Sequence, residues 1–337
     1  MTYEEKIEEI AKQDENIVVI TAENRAAIRN LPKALGKRFI DVGIAEQTMI
    51  GTAAGLALRG RVPVVHALAT FLTLRAFEFI RTDVGIGNLP VKLVGAVPGF
   101  LSEANGPTHQ ALEDVSLMRG IPHMKVFCPA DQEELVAGLP FILRDKFPWY
   151  IRYTSSKPVV KHYDQFSIGR AEMLVEGMDI ALLTYGFMMG ESWRAKEILE
   201  KEGFSVRFIN LRTLKPVDEW SIVSAAIECS LLVTVEDHFL TGGLYSIVSE
   251  ILLKHRMSAH ALPFALENHW FKPALLADVL EYEGFSGEQI AKKIIEVWEN
   301  KEKESSFGDE DLSIPPPIVQ HSSNNETYKE RSAISVD

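Results

Sequence analysis

Short apolar runs and longer amphipathic segments alternate along most of this 337-residue chain. Runs such as Ile17–Thr21 and Val91–Val97 predict buried strands, whereas segments such as Tyr3–Lys12 and Asp131–Arg144 predict helices. Strands that alternate with helices are joined by crossover connections, which link parallel strands. The alternation therefore predicts an α/β fold with mainly parallel sheets.

The alternation weakens over a segment of weak periodicity that carries one proline and two glycines. A chain of this length is long enough for two domains of ordinary size. We predict two doubly wound domains, each with a mainly parallel sheet, at residues 1–155 and 179–300, joined by a linker at 156–178. Residues 301–337 are polar and contain three consecutive prolines, so we expect a disordered tail.

Composition excludes several classes of protein. The net charge of −12 argues against a nucleic-acid binder, and no apolar run reaches the length of about 18 residues that a membrane span needs. The N-terminus lacks the basic-then-apolar form of a signal peptide, so we expect a cytoplasmic protein. Cys128 and Cys229 lie far apart in apolar surroundings, which predicts buried small hydrophobes and no disulfide.

The stretch from Phe39 to Gln47 leads directly into a helix rich in small residues. Gly43 turns the chain, and Glu46 falls in the first turn of a helix that runs to about Arg59. The small residues on this helix predict that it is buried on most sides. Glu46 is then either a carboxylate stabilised by the helix N-terminus or a buried carboxylate that handles a proton, and spacing alone leaves both open.

Two further strand ends carry unusual residues, in the segments His66–Arg81 and Leu101–Gln110. Ligands bind at the carboxyl ends of the strands in open parallel sheets. A carboxylate, an aromatic wall and the loop histidine His109 are therefore expected at one cleft. On spacing alone, Phe71 and Phe77 are more typical of a helix core, and His109 is more typical of a structural loop residue.

Four ordered motifs, "DVGIAEQ", "ATFL…RAFEFIR", "GPTHQALEDVSLMR" and "PAD", resemble the pyrimidine-binding domain of the transketolase family. Later motifs, "LLTYG", "INLRTLKP" and "VTVEDHFLTGGL", resemble the C-terminal domain of that family. The family includes deoxyxylulose phosphate synthase and depends on thiamine diphosphate. The sequence has no counterpart of the family's diphosphate-binding domain, whose Gly-Asp-Gly motif holds Mg²⁺. It resembles the C-terminal subunit of a split transketolase.

The resemblance implies roles for the cofactor-side residues. Glu46 would hydrogen-bond N1′ of the aminopyrimidine and promote its imino tautomer. Phe71, in its matching "TFL" context, would contact the pyrimidine ring, and Phe77 is a second aromatic candidate. Leu74 stands where transketolases usually carry the stacking phenylalanine, so it would cover the ring by dispersion alone. Mg²⁺ would be held by the partner subunit, so no metal ligand is expected in this chain.

The resemblance also implies a substrate side. His109 matches a histidine that lines the substrate channel and binds oxygens of the sugar. Asn105 replaces an aspartate that is usual in this loop, and Val97 stands where many transketolases carry a sugar-phosphate histidine. Arg152 matches an anion-contacting arginine, with a plain strand-end salt bridge as the alternative. His238 is expected at the interface between the domains.

The resemblance therefore implies a transferase that moves a two-carbon ketol unit from a ketose to an aldose, sugars or sugar phosphates being the substrates. It implies an N-terminal partner subunit, pairing of two pyrimidine domains, and inactivity of this chain alone. Two alternatives stay open. One is a carboligase subunit similar to deoxyxylulose phosphate synthase or to the β subunit of a 2-oxoacid dehydrogenase. The other is a non-catalytic scaffold subunit.

Overall fold

The first half of the chain contributes six short apolar strands to the first sheet, and these six are all parallel. The computed structural model describes residues 1–162 and 166–306, and only the backbone of 301–306. The six strands of the first half are β1 Ile17–Thr21, β2 Phe39–Asp41, β3 Val62–Leu68, β4 Lys92–Ala96, β5 Lys125–Phe127 and β6 Trp149–Arg152. They lie in the order β5-β6-β4-β3-β1-β2, and every neighbouring pair is parallel.

Helices cover both faces of this sheet. The helices of the first half are α1 Tyr3–Gln13, α2 Leu31–Leu35, α3 Glu46–Leu58, α4 Phe77–Phe79, α5 Asp114–Gly120 and α6 Gln132–Arg144. Ile17 and Val19 of β1 pack with α1 and α6, whereas Val18 and Ile20 pack with α3 and α5. Strands buried on both faces read as continuous apolar runs, so the predicted doubly wound fold is confirmed.

The second sheet repeats this design. Its strands are β7 Glu172–Val175, β8 Ile180–Thr184, β9 Val206–Asn210, β11 Leu231–Phe239 and β12 Ala261–Leu266, with β10 Thr213–Lys215 lying between β9 and β11 in the chain. The order is β12-β11-β8-β9-β7, and only β7 is antiparallel to its neighbour. The helices are α7 Met189–Lys201, α8 Glu219–Glu228, α9 Leu244–Lys254, α10 Leu276–Tyr282 and α11 Gly287–Ser306.

The two halves of the chain share one core. Strand β10 leaves the second half and pairs antiparallel with β5 at the edge of the first sheet. A single hydrophobic cluster contains Val126 and Cys128 of the first half together with Leu183 and Leu232 of the second. Residues Met1–Trp298 accordingly form one compact unit.

The domain boundaries differ from the prediction at two places. The predicted linker at 156–178 contains β7, which the sequence hides because an edge strand of four residues with mixed burial has little periodicity. Helix α11 continues to Ser306, beyond the predicted domain end at residue 300. The rest of the predicted tail, from residue 307, lies outside the described residues. Cys128 is buried as predicted, Cys229 is half-buried, and both are free thiols.

Within 1–162 and 166–306, every helix is too short or too polar to span a bilayer.

Candidate active site

The carboxyl end of β2 sets the position of Glu46. Asp41 accepts hydrogen bonds from the backbone N–H of Gly43 at 3.0 Å and of Glu23 at 3.2 Å. Arg25 donates to the second carboxylate oxygen of Asp41 at 2.7 Å. Burial opposes ionisation, but these hydrogen bonds hold the pKa of Asp41 below its ordinary value. The turn before α3 is thus fixed by a charged side chain, and α3 begins at Glu46.

Glu46 is a buried carboxylate at a helix start. Its side chain is only 2% exposed, and Ala45 before it offers no capping side chain. The helix N-terminus favours a negative charge at this place. Arg75 Nη1 donates to Glu46 Oε2 at 3.0 Å, so the carboxylate is paired with a cation that is 41% exposed.

Phe71 contacts both Arg75, the partner of Glu46, and the loop histidine His109. The Arg75 guanidinium carbon lies 4.1 Å from the centre of the Phe71 ring, a cation–π contact. Phe71 also meets the His109 ring edge-to-face, with centroids 5.0 Å apart. Glu46, Arg75, Phe71 and His109 therefore form a continuous row, which we call the Glu46 cluster.

A distorted helix presents Phe71 and Arg75 to the cluster. Residues Phe71–Arg75 and Ile80–Ile86 form π-helical turns on either side of α4. In the first of these, the N–H of Ala76 bonds the carbonyl of Phe71 at 3.3 Å, five residues back. Such π-turns occur mostly as single turns inside helices and frequently lie at functional sites. The sequence predicted one regular helix here.

Three other predicted residues, Leu74, Phe77 and Asn105, belong to the same two segments of the chain as the aromatic ring and the histidine of this row. Leu74 is 42% exposed, and Asn105 is exposed in the turn before His109. Phe77 is half-buried and packs on the central core, which agrees with the plain interpretation of its spacing. Thr108 Oγ1 lies 2.9 Å from Nδ1 of His109 and orients that ring.

Arg152 lies away from the cluster in a buried ion-pair group. Its side chain is 3% exposed, with Nε 2.8 Å from Asp114 Oδ2 and Nη1 2.5 Å from Asp237 Oδ1. Two carboxylates thus neutralise the guanidinium, and no face of it is free for a substrate anion. The position fits the alternative that the sequence left open, a structural salt bridge, because β6 points Arg152 toward β11 of the second sheet.

His238 lies at the contact between the two halves, as expected. The backbone N–H of Ser116 in α5 donates to Nε2 of His238 at 3.3 Å. Burial lowers the pKa of His238 to about 4, so the imidazole is neutral and accepts this bond. Beside it, Glu236 accepts hydrogen bonds from the backbone N–H groups of Leu244 and Tyr245 at the start of α9. Burial raises the pKa of Glu236 to about 8.

One group among the described residues has the spacing of a cation site, but it is already neutralised. Glu134, His162 and Glu172 bring their ligand atoms within 4.8 Å of one another. Arg212 lies 2.6 Å from Glu134 and 2.7 Å from Glu172, and His162 bridges Glu172 and Asp131 at 2.7 Å each. The two carboxylates of this group are therefore already paired with cations.

A cavity of about 580 Å³ lies at the carboxyl ends of β11 and β12. Its walls are Phe239, Leu240, Thr241, Leu266, Glu267, Asn268, His269 and Trp270. None of the predicted site residues lines it, so it is separate from the Glu46 cluster.

Sequence reasoning gave Arg75 no role beyond a surface or ion-pairing residue. The signal was the four-residue spacing from Phe71 to Arg75, which places a cation beside an aromatic ring on one side of a helix.

Comparisons with known proteins agree with this architecture. The transketolase pyrimidine-binding domain family matches residues 1–158, and the transketolase C-terminal domain family matches residues 169–290. A 6-deoxy-6-sulfo-D-fructose transketolase subunit of Clostridium sp. is 38% identical over 74% of this chain and 79% of its own length. A transketolase C-terminal section of Methanocaldococcus jannaschii is 33% identical over 87% of this chain and 94% of its own length.

Longer relatives and solved structures extend the comparison. A 1-deoxy-D-xylulose-5-phosphate synthase of Dictyoglomus thermophilum is 35% identical, and this chain spans 48% of its length. A split-gene transketolase, described as an inactive β4 tetramer, superposes with a TM-score of 0.79 at 31% identity, covering 87% of this chain and 96% of its own. Transketolase of Pichia stipitis shares the fold, with a TM-score of 0.72. The chain belongs to the transketolase family and contains its pyrimidine-binding and C-terminal domains.

Proposed function

We propose that this chain is the catalytic C-terminal subunit of a thiamine diphosphate-dependent transketolase, which transfers a two-carbon ketol unit from a ketose to an aldose. The observation that carries the proposal is the placement of Glu46. It is a buried carboxylate at a helix start, in one row with an aromatic ring and a loop histidine. A buried carboxylate beside an aromatic wall is suited to hold a protonated ring nitrogen.

The residues present fit the pyrimidine half of thiamine diphosphate. Glu46 would accept a hydrogen bond from the ring, and Phe71 and the exposed Leu74 would cover its faces. When bound, the cofactor supplies the nucleophilic carbon and the electron sink for breaking the sugar's carbon–carbon bond. Arg75 forms an ion pair with Glu46 in this structure. When the pyrimidine ring binds, Arg75 would have to share that carboxylate with the ring or release it. Mg²⁺ and the diphosphate would be bound by the partner subunit.

On the substrate side, His109 and Asn105 would bind sugar oxygens. His109 is half-buried at one end of the Glu46 cluster, and Asn105 is exposed four residues before it. Arg152 does not serve as an anion contact in this proposal, because Asp114 and Asp237 neutralise it. Any phosphate or sulfonate of the sugar would then be bound by Arg75, by residues of a partner, or by both.

Two kinds of partner are part of the proposal. An N-terminal subunit would complete the cofactor site, in line with the relatives of similar length that are named as transketolase subunits or sections. A second copy of this chain would pair through α3. Thr48, Gly51, Gly55 and Leu58 form an exposed stripe on that helix, whereas the sequence predicted a helix buried on most sides. A Cβ at Gly55 would meet nothing within 4 Å, so another backbone can approach closely there.

A second candidate function keeps the cofactor and changes the reaction. Several relatives of 34–35% identity are 1-deoxy-D-xylulose-5-phosphate synthases, and this chain spans about half the length of those proteins. The complex would then join a decarboxylated 2-oxoacid to an aldehyde. The two reactions are separable because only the second releases CO₂ from pyruvate.

The test uses the complex of this chain with its N-terminal subunit. Ketose donors that include xylulose 5-phosphate and 6-deoxy-6-sulfo-D-fructose are incubated with an aldose acceptor, and transfer is followed by chromatography. Glu46→Gln is expected to lower kcat/KM by about 10²-fold or more, because the amide cannot carry the charge or exchange the proton. Glu78→Gln, an exposed carboxylate nearby, is the matched control and should change little. Activity that survives Glu46→Gln would favour the alternative that this chain is a non-catalytic scaffold subunit.

A further inference from the structure

The segment between β4 and α5 is a closed loop. In residues 98–112, which we call the His109 loop, the N–H of Gly99 donates to the carbonyl of Ala111 at 3.0 Å. Ser102 Oγ donates to the carbonyl of His109 at 2.8 Å. The loop therefore has its own internal bonds, but it contains little regular structure, and such segments open locally at low free-energy cost unless other elements hold them.

An aromatic anchor attaches this loop to the second half of the chain. The Phe100 ring is fully buried and lies edge-to-face against Phe271 and Phe285, with centroid distances of 5.3 and 4.9 Å. Aromatic pairs of this geometry contribute beyond the apolar area that they bury. Phe271 follows β12, and Phe285 precedes α11, so both belong to the C-terminal domain.

Polar contacts run beside the anchor. Gln110, next to His109, is 1% exposed, and its Nε2 donates to the carbonyl of Phe271 at 2.9 Å. The N–H of Ala274 donates to the carbonyl of Glu103 at 3.1 Å. One segment, residues 271–274, thus holds both the middle of the loop and the residue that follows its histidine.

The two ends of the loop are fixed by β11. Gly99 has a φ of +59°, and a Cβ there would lie 1.8 Å from Asp237 Oδ2, so only glycine allows this approach. At the other end, the N–H of Phe239 donates to the carbonyl of Leu112 at 2.9 Å. Asp237 is itself held by Arg152, which ties the loop to the ion-pair group between the halves.

The opposite side of the loop faces the Glu46 cluster through His109 and Phe71. We propose that Phe271 and Gln110 are positioning residues through which the C-terminal domain fixes His109 for the sugar substrate. This inference rests on the proposed function, because it takes His109 as a substrate-binding residue. It gives the C-terminal domain a direct part in substrate affinity, although none of its residues is placed in contact with the sugar.

A looser aromatic anchor would change how well His109 is positioned when the sugar binds. A histidine that samples several positions pays a larger entropy cost when it is ordered by the sugar, and small displacements lower the share of productive complexes. The cofactor contacts of Glu46 and Phe71 come from other segments. Loosening the loop should therefore raise KM for the sugars and leave thiamine diphosphate affinity unchanged.

The experiment compares Phe271→Leu with Phe208→Leu, two fully buried phenylalanines in edge-to-face aromatic pairs of the same domain. Phe208 pairs with Trp193, and no aromatic pair within the described residues joins it to the loop. A third variant, Gln110→Met, removes the donor to Phe271 and keeps the length of the side chain. Each variant is assayed in the full complex with xylulose 5-phosphate and ribose 5-phosphate, and by hydrogen–deuterium exchange over residues 99–112.

We expect Phe271→Leu and Gln110→Met to raise KM by about 5–20-fold with kcat within about 2-fold, and to speed exchange in the loop by about 10-fold. Phe208→Leu should lower the melting temperature without either effect. Equal behaviour of the two leucine variants, or unchanged exchange in the loop, would overturn the inference. A wild-type complex without ketol transfer would instead refute the proposed function, and the exchange result would still decide whether the domain holds the loop.

Discussion

The guanidinium of Arg75 contacts both the buried carboxylate of Glu46 and the ring of Phe71. Its Nη1 lies 3.0 Å from Glu46 Oε2, and its Cζ lies 4.1 Å from the centre of the Phe71 ring. A carboxylate that is 2% exposed requires a partner, because burial of an unpaired charge is costly. Arg75 meets this need, although its own side chain is 41% exposed. The ion pair therefore offsets the cost of burying Glu46.

A double-mutant cycle on this pair should give a measurable coupling. We expect Glu46→Gln and Arg75→Gln to be non-additive by about 0.5–2 kcal/mol in the free energy of unfolding, since one partner is buried and the other exposed. Urea unfolding of the isolated chain provides the values. Arg25 and Asp41 form a comparison pair in which the cation is also about half exposed. Additive effects of the two substitutions would show that Arg75 does not stabilise Glu46.

The exposed stripe on α3 should mediate self-association. Gly55→Gln places a long side chain where the chain itself leaves open space, so the fold is retained but a second copy is obstructed. We expect the dissociation constant of the dimer to rise by about 100-fold or more, a loss of some 3 kcal/mol. Gly120→Gln, at an exposed helical glycine that is equally open, is the control. Sedimentation equilibrium measures both variants, and an unchanged dimer in Gly55→Gln would place the interface elsewhere.

The ion pairs of Arg152 should contribute more to stability than to substrate binding. Arg152→Met leaves Asp114 and Asp237 buried without a cation, which is expected to cost about 3–5 kcal/mol. Arg207→Met removes a similarly buried arginine whose partner, Glu228, is 48% exposed, and it should cost about 1 kcal/mol or less. Chemical denaturation compares the two losses. If Arg152→Met unfolds like the wild type but loses affinity for a phosphorylated sugar, the arginine is an anion contact after all.

His162 gives the stability a defined pH dependence. Burial opposes its protonation, but hydrogen bonds with Asp131 and Glu172 raise the pKa to about 10, and Glu134 adds to this. A histidine whose folded pKa lies above its unfolded value of 6.5 stabilises fully below pH 6.5, and the contribution is lost as the pH rises toward 10.

The matching variant is His162→Gln. The difference in unfolding free energy between wild type and variant should be largest near pH 6 and shrink steadily up to pH 10. His269→Gln, whose side chain is 55% exposed, should change stability by less than about 0.5 kcal/mol. A difference for His162→Gln that grows with pH would contradict the protonated bridge.

The α/β fold and the row from Glu46 to His109 follow from local signals. Buried strands read as apolar runs, and ligands bind at strand ends, so the sequence predicts that Glu46, Phe71 and His109 lie at one cleft. Strands β7 and β10 were not predicted, because four and three residues carry no period. Pairing of β10 with β5 is set by the shared core of the two halves, which depends on contacts distant in sequence.

The ion-pair partners of the charged side chains could not be predicted from the sequence either. Arg75 and Arg152 both lie at the end of an apolar segment. Nothing in the neighbouring sequence shows that Arg75 pairs with Glu46, or that Arg152 is enclosed by Asp114 and Asp237. The exposed side of α3 was also misjudged. Its glycines predicted close packing, but within residues 1–162 and 166–306 no atom lies within 4 Å of a Cβ built at Gly55.

We propose that this chain supplies the pyrimidine side of a thiamine diphosphate site that a partner subunit completes. Isothermal titration calorimetry with thiamine diphosphate and Mg²⁺ is carried out on the chain alone, on the N-terminal subunit alone and on their mixture. We expect tight binding only in the mixture, and loss of that binding when the mixture contains Glu46→Gln. Association of the two subunits without any cofactor binding would contradict it.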